Sequence, residues 1–345
     1  MECKKLQGCF LIGVTGKGFS ETGEALIGSV SDDPYDIRTF LKAVSSEGNF
    51  SHLGTELIST SEHTLTERGY FARPGETTRG INEAGLAFTC AMVIENDALD
   101  TPNDCYPYAN ITTEMMNRCE SVNQAIELFN SKGAIQPAYS VLLADANGDL
   151  AHLEVGSYGT VVYHHYTAEN PGSVFAVNCY LSDLFTKYNA PNTLITDTDN
   201  NNQARRSRGE ELSEEFKGEI NIEVFMRILS DHRNAERDPM GNPILEAWGY
   251  SICNHGTRKS DDYPHEDLPW GTVSSEILQP KSKQFWYAYG WPCGEKPDYG
   301  DQILQENSWG EFRPFGFNKR NPINGVHQLT TPEGKLTKTG EEWRA

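Results

Sequence analysis

The order of apolar runs in this 345-residue chain predicts an α+β protein built on antiparallel sheets, with helices segregated from strands. Three observations point there. Strand-like runs come first, helix-like runs follow, and strand-like runs return near the end. Neighbouring strands are joined by short, turn-rich segments, whereas a parallel crossover needs a dozen or more residues. One of these turns, Asn147-Gly148 in "SVLLADANGDLAHLEVG", is the strongest short hairpin signal a sequence carries.

Each element has its own warrant. "CFLIGVTG" is a short apolar run closed by Gly16 and the turn-rich "GKGFSETGE", which predicts a buried strand. "EALIGSVSDD" follows as its hairpin partner. "GINEAGLAFTCAMVI" reads as a Gly/Asn turn leading into a strand. "TTEMMNRCESVNQAIELFNSKG" predicts a helix, with apolar spacing at Ile126, Leu128 and Phe129 and a stop at Gly133. After the Asn147-Gly148 hairpin, "GTVVYHHY" and "SVFAVNCYL" are strand-like again. The polar stretch "DTDNNNQARRSRGEE" reads as a surface loop entering a helix, and "NIEVFMRILSDH" as a second helix. "GTVSSEILQP" and "KQFWYAYGW" form a last alternating pair. No linker separates two cores, so a single domain is expected.

Composition narrows the function classes. Hydrophobic residues make up 37% of the chain, with 15 Tyr, 15 Phe and 6 Trp, a globular profile. The net charge of −20 would repel a phosphate backbone or an anionic lipid surface, so neither nucleic acid nor membrane is an expected partner. The start "MECKKLQG" lacks the apolar core of a signal peptide, which predicts a cytoplasmic protein. Of eight cysteines none sits as C-x-x-C, and no Cys/His group has zinc spacing, so no metal is expected.

Position singles out Cys9, which stands behind Gly8 and directly before the first strand. One reading is a small buried hydrophobe. The other is chemical. Cutting the Gly8–Cys9 bond would give Cys9 a free α-amine of unperturbed pKa ~8 beside a thiol of ~8.5, one residue supplying base and nucleophile. Gly8 leaves its own carbonyl unobstructed for thiol attack. Asp32 and Asp33 lie just past the second strand, which the hairpin returns to the start of the first. Asp32 could orient the amine there, or "SDDP" is a polar turn before a proline.

These residues, with others in order, resemble the isopenicillin N acyltransferase (acyl-coenzyme A:6-aminopenicillanic acid acyltransferase) family of N-terminal-nucleophile hydrolases. Choloylglycine hydrolases and penicillin V acylases are its more distant cousins. Gly8-Cys9 is similar to the self-processing junction, "LIGSVSDD" to the strand end that carries the family aspartate, and "GINEAGLAFT" to its N-x-x-G-L strand. "YSVLLADANGDLAHLEVG" resembles the family hairpin, with Asp145 and Glu154 in place. "FAVNCYL" maps the oxyanion asparagine onto Asn178, and "ILSDHRN", "SICNHG" and "TVSSEIL" complete the order. Val30, Cys179 and Asn254 depart from the family's asparagine, histidine and arginine.

The resemblance implies a four-layer αββα sandwich of two antiparallel sheets, a propeptide of residues 1–8, and one domain over 9–345. It implies autocleavage between Gly8 and Cys9 and a catalytic set of Cys9, Asp32 and Asn178. Arg38 and Asn254 stand as substrate-binding residues, with Arg38 a candidate for the missing cation. The implied reaction moves an acyl group from a small-molecule amide or thioester donor to water or an amine. Neither cofactor nor metal is implied; coenzyme A would enter as a substrate, and a homo-oligomer stays open. A peptidase, a choloylglycine-hydrolase-type amidase and a non-catalytic member of the fold are the alternatives, with a thiol-redox protein behind them. His232 and His255 are expected to brace loops outside the site, and Cys179 and Cys253 to line the pocket.

Overall fold

All six residues of strand β1 (Phe10–Thr15) are buried, the signature of a strand covered on both faces. Alternation along it sorts the molecule into layers. Phe10, Ile12 and Val14 point into one apolar cluster, while Leu11, with Cys9 before it, points into another. The computed structural model describes residues 9–34, 37–59, 76–96, 98–99, 102, 104–190, 201–232, 251–255, 270–295, 307–317 and 324–345. Gly8, and with it the expected cleavage junction, lies outside the described residues.

After β1 come β2 (Leu26–Pro34), β3 (Ile37–Ser45), β4 (His52–Ser59), β5 (Arg79–Asn82) and β6 (Ala87–Met92). A short β7 (Tyr106–Pro107) leads into helices α1 (Tyr108–Arg118) and α2 (Val122–Lys132), and β8 (Ile135–Gln136) pairs back in parallel on β7. Then follow β9 (Tyr139–Ala144), β10 (Leu150–Gly156), β11 (Gly159–Tyr166) and β12 (Gly172–Ala176). Helices α3 (Asn201–Glu215) and α4 (Ile222–Leu229) precede β13 (Trp270–Gln279), β14 (Gln284–Tyr289), β15 (Arg313–Gly316), β16 (Gly325–Gln328) and the short α5 (Lys338–Glu342).

Two antiparallel sheets result. One runs β12-β1-β2-β13-β14-β15 and the other β11-β10-β9-β6-β5-β4-β3-β16. They face each other across an apolar layer that includes Leu11, Ile27, Leu53, Ile81, Leu142 and Tyr287. Phe225, Ile228 and Leu229 of α4 cover the outer face of the six-stranded sheet over Phe10, Ile12 and Val30. Met115 and Met116 of α1 and Phe129 of α2 cover the outer face of the other over Phe88, Leu143 and Leu153. The layers are therefore αββα, the fold class expected.

Local chemistry explains the elements and one correction. The single helix expected over 112–133 is two. Ser121 caps α2 by accepting from the Gln124 N–H, and Asp145 Oδ2 accepts from the Val122 N–H at 2.9 Å. Asn82 Nδ2 meanwhile donates to the carbonyls of Met116 and Cys119, closing the end of α1. Each bond satisfies a helix-terminal group that would otherwise lack a partner. The same Asp145 carboxylate accepts from the Asn147 and Asp149 N–H groups, so it also holds the predicted hairpin turn, where Gly148 has φ +96°.

Candidate active site

Cys9, just ahead of β1, lies in the apolar layer between the sheets, only 7% exposed. Its two neighbouring strands determine what surrounds it. Register pairs Leu11 with Ala176 of β12 and Phe10 with Val30 of β2. The same strand ends therefore carry Asn178 on one side and Asp32 on the other. This is what the hairpin from "CFLIGVTG" to "EALIGSVSDD" dictates once folded.

Asp32 is fully buried, and three groups surround its carboxylate. Thr272 Oγ1 donates to Oδ1 at 2.7 Å and Asn254 Nδ2 to Oδ2 at 3.5 Å. Arg205 Nη1 is 3.9 Å from Oδ2. The Asp32 backbone N–H is directed at the Cys9 thiol. Burial raises the Asp32 carboxyl to about 7, although Arg205 and the Thr272 and Asn254 hydrogen bonds pull it down. Burial likewise pushes the Cys9 thiol up, against a downward pull from Arg79 and with Asp33 and Asp32 adding to the rise.

Two arginines make the site, and neither stands out in the sequence. Arg79 begins β5 on the eight-stranded sheet and reaches across the layer. Its Nη2 lies 3.6 Å from Cys9 Sγ and 3.3 Å from the Cys90 carbonyl. Its Nε donates to Ser29 Oγ at 3.1 Å and lies 3.3 Å from Glu276 Oε2. Ser29 and Ser274 in turn donate to the two Glu276 oxygens at 2.8 and 2.7 Å. A buried carboxylate with several donors thus anchors a buried guanidinium against the cysteine. Arg205 rises from α3, in the polar stretch read from sequence as a surface loop entering a helix. Its Nη2 donates to Asn202 Oδ1 at 2.9 Å and lies 3.4 Å from Asn178 Oδ1. The signal available was periodicity: Arg205, Arg208 and Leu212 recur on one buried face, and Gly209 between them packs on Phe10.

The remaining expected residues divide. Asn178 is 2% exposed, donates Nδ2 to the Met92 carbonyl at 2.9 Å and, beside Arg205, faces the same site. Asn254 is fully buried and contacts Asp32, its backbone pairing on both sides with Thr272. Arg38, by contrast, lies on β3 against the Tyr289 hydroxyl, while the guanidinium beside Asp32 is that of Arg205. Glu154 serves the scaffold. It accepts from the Leu181 and Ser182 N–H groups and from Ser182 Oγ, locking the segment after Asn178. Cys179 is buried in the outer layer with Ile252 and Val30.

Two antiparallel sheets stacked between helical layers define the class of N-terminal-nucleophile hydrolase folds, and solved structures agree in fold. Penicillin V acylase from Agrobacterium tumefaciens is similar at TM-score 0.54 and 14% identity, covering 95% of this chain and 98% of that one. A single-residue variant of conjugated bile acid hydrolase from Clostridium perfringens is similar at TM-score 0.51 and 12% identity, covering 94% and 98%. Residues 33–254 match the family model described as acyl-coenzyme A:6-aminopenicillanic acid acyl-transferase, and the chain belongs to that family. No curated protein matches the chain.

Proposed function

We propose that this protein is a self-processing acyltransferase or amidohydrolase whose nucleophile is the N-terminal Cys9 of a domain spanning residues 9–345. The observation that carries the reading is the Cys9 sulfur with the Arg79 guanidinium at 3.6 Å, inside a family of acyl-transfer enzymes. A cation beside a thiol stabilises the thiolate, the attacking species.

The first turnover is on the chain itself. The Cys9 thiol gives its proton to Asp32, whose carboxyl near 7 suits a general base at neutral pH. The sulfur attacks the Gly8 carbonyl. The Gly8–Cys9 C–N bond then breaks, the nitrogen takes up a proton as the new α-amine, and a thioester links Gly8 to Cys9. Water hydrolyses that thioester, releasing residues 1–8 with a free Gly8 carboxylate and restoring the thiol. In later turnovers the α-amine takes the thiol proton, and Asp32 holds the resulting ammonium. Sγ attacks an amide or thioester carbonyl, the leaving amine or thiol departs protonated, and water or an amine resolves the acyl-cysteine. The Asn178 amide has two hydrogens, of which Met92 takes one. The second is the donor for the oxyanion.

The donor is a small molecule. The names of the family and of penicillin V acylase and bile acid hydrolase support an acyl group on nitrogen or on coenzyme A sulfur. Intact mass of the purified protein should correspond to a chain beginning at Cys9, and Cys9→Ala should keep residues 1–8. A panel of acyl thioesters and N-acyl amines should label Cys9, thioesters faster because a thiolate leaves more readily. Asn178→Ala should lower turnover ~10²–10³-fold in folded protein. Folded wild-type protein that keeps residues 1–8 and takes no label from any donor would overturn the reading in favour of a non-catalytic member of the fold.

A further inference from the structure

Three chain segments distant in sequence bring His232, Cys253, His255 and Cys293 together, and their ligand atoms all lie within 4.8 Å of one another. His232 follows α4, Cys253 and His255 flank Asn254, and Cys293 follows β14. His255 Nε2 lies 2.8 Å from His232 Nε2, 3.2 Å from Cys293 Sγ and 3.5 Å from Cys253 Sγ. From these four residues we infer that this protein carries a structural zinc site, of Cys2His2 type, beside the Asp32 end of the candidate active site.

The dimensions suit the ion. Tetrahedral zinc with Zn–N of ~2.05 Å and Zn–S of ~2.3 Å sets nitrogen–sulfur edges of about 3.6 Å and a nitrogen–nitrogen edge of about 3.3 Å. The two observed nitrogen–sulfur edges lie within a few tenths of an ångström of that value. The two imidazoles need to part by about half an ångström, which rotation about their side-chain bonds supplies. Two imidazoles and two thiols are also the donor set that zinc selects over magnesium or calcium. Four protein ligands leave no open position, so the site is structural.

The surroundings suit it as well. The Trp291 ring stacks on His255 with planes 2° apart and centroids 4.5 Å apart, fixing the imidazole from behind. Val273 and Trp291 pack around Cys253 as an apolar shell. Zinc entry releases the two thiol protons and links the end of α4 to the segment after β14. It also clamps both neighbours of Asn254, the residue that donates to Asp32. The inference does not depend on the proposed reaction: a chain that never transfers an acyl group can still hold the ion.

The test is metal content and coordination of the full chain purified under reducing conditions. Elemental analysis should find one zinc per chain. Chelator-stripped protein given Co(II) should develop the visible ligand-field bands and near-ultraviolet thiolate charge transfer of a tetrahedral S2N2 site. The double variant His232→Gln/Cys293→Ser changes the two less buried ligands and should lose both signals. The single variant Cys293→His keeps four donors and should retain binding with weaker thiolate charge transfer, which distinguishes lost ligation from lost folding. Wild-type protein that is folded yet takes up neither metal at one equivalent would overturn the assignment. So would binding undiminished in the double variant, or a Cys253–Cys293 disulfide found by mass in place of the two thiols.

Discussion

At the residue scale the candidate site is a problem of buried charge. Cys9, Asp32, Arg79, Arg205 and Glu276 are all withdrawn from water, and each is tolerable only because another lies beside it. Arg79→Ala should therefore destabilise the protein by about 3–5 kcal/mol, by leaving Glu276 buried and uncompensated. Arg79→Ala/Glu276→Gln should recover most of that loss in denaturant titration, while Cys9 acylation stays depressed. Recovery of both together would show that Arg79 acts on the fold and not on the thiol. Asp32 gives a pH signature. Its folded carboxyl titrates near 7, against ~3.9 for an unfolded aspartate. Between those values the folded chain keeps a proton that the unfolded chain has lost, so stability is fullest below pH ~4 and falls as pH rises through 7. In the uncleaved Cys9→Ala background, urea unfolding from pH 4 to 7.5 should show a decline of a few kcal/mol at most. Adding Asp32→Asn should flatten it; parallel curves for the two proteins would remove Asp32 as the cause.

At the scale of elements, the strands that carry the site are held by what covers their outer faces. Helix α4 lies directly on β2, where Gly28 leaves room for it. A Cβ built at Gly28 would stand 2.9 Å from Phe225 Cδ1 and 3.1 Å from Leu229 Cδ1. Gly28→Ala should consequently push α4 outward and cost about 1–3 kcal/mol, read as a lowered urea midpoint. Because Asp32 lies four residues along the same strand, acylation rate should fall with it. Phe225→Leu in the same chain should restore stability by returning the space. If Gly28→Ala leaves the midpoint unchanged, the close packing of α4 on β2 is not what holds this strand. The split between α1 and α2 belongs to this scale too. The motif S-V-N-Q at 121–124 is a cap signature in the sequence, but Asn82 and Asp145, which stabilise the break, come from β5 and from the β9–β10 turn.

At the scale of the molecule, three apolar layers organise the fold, one between the sheets and one under each helical cover. The inter-sheet layer also holds Cys9, and Arg79 reaches it from the opposite sheet. A charge crossing between two sheets ties them together at a depth that water does not reach. Strands β3 and β4, unmarked in the sequence, show how a buried ion pair on the face away from that layer hides a strand. Lys42 and Glu56 interrupt their apolar pattern, yet the two pair at 2.8 Å with Lys42 1% exposed and Glu56 6% exposed. No helix of the described residues is long and apolar enough to cross a membrane.

Local sequence determined the strands flanking Cys9, the Asn147-Gly148 hairpin, the antiparallel class and the residues at the ends of β1, β2 and β12, because periodicity and turn chemistry act over a few residues. The β1–β2 hairpin therefore placed Asp32 beside Cys9, while Asn178 was marked by the family resemblance. Only the tertiary structure decided which cations serve them. Arg79 is 70 residues from Cys9 along the chain, and Arg205 lies on a helix whose composition reads as solvent-facing. The same holds for Asn254, which becomes a donor to Asp32 across 222 residues, and for the four ligands gathered beside it. A side chain's charge is written in the sequence. Its partner is written in the packing of sheets and helices, since a buried ion pair exists only where two distant segments exclude water together.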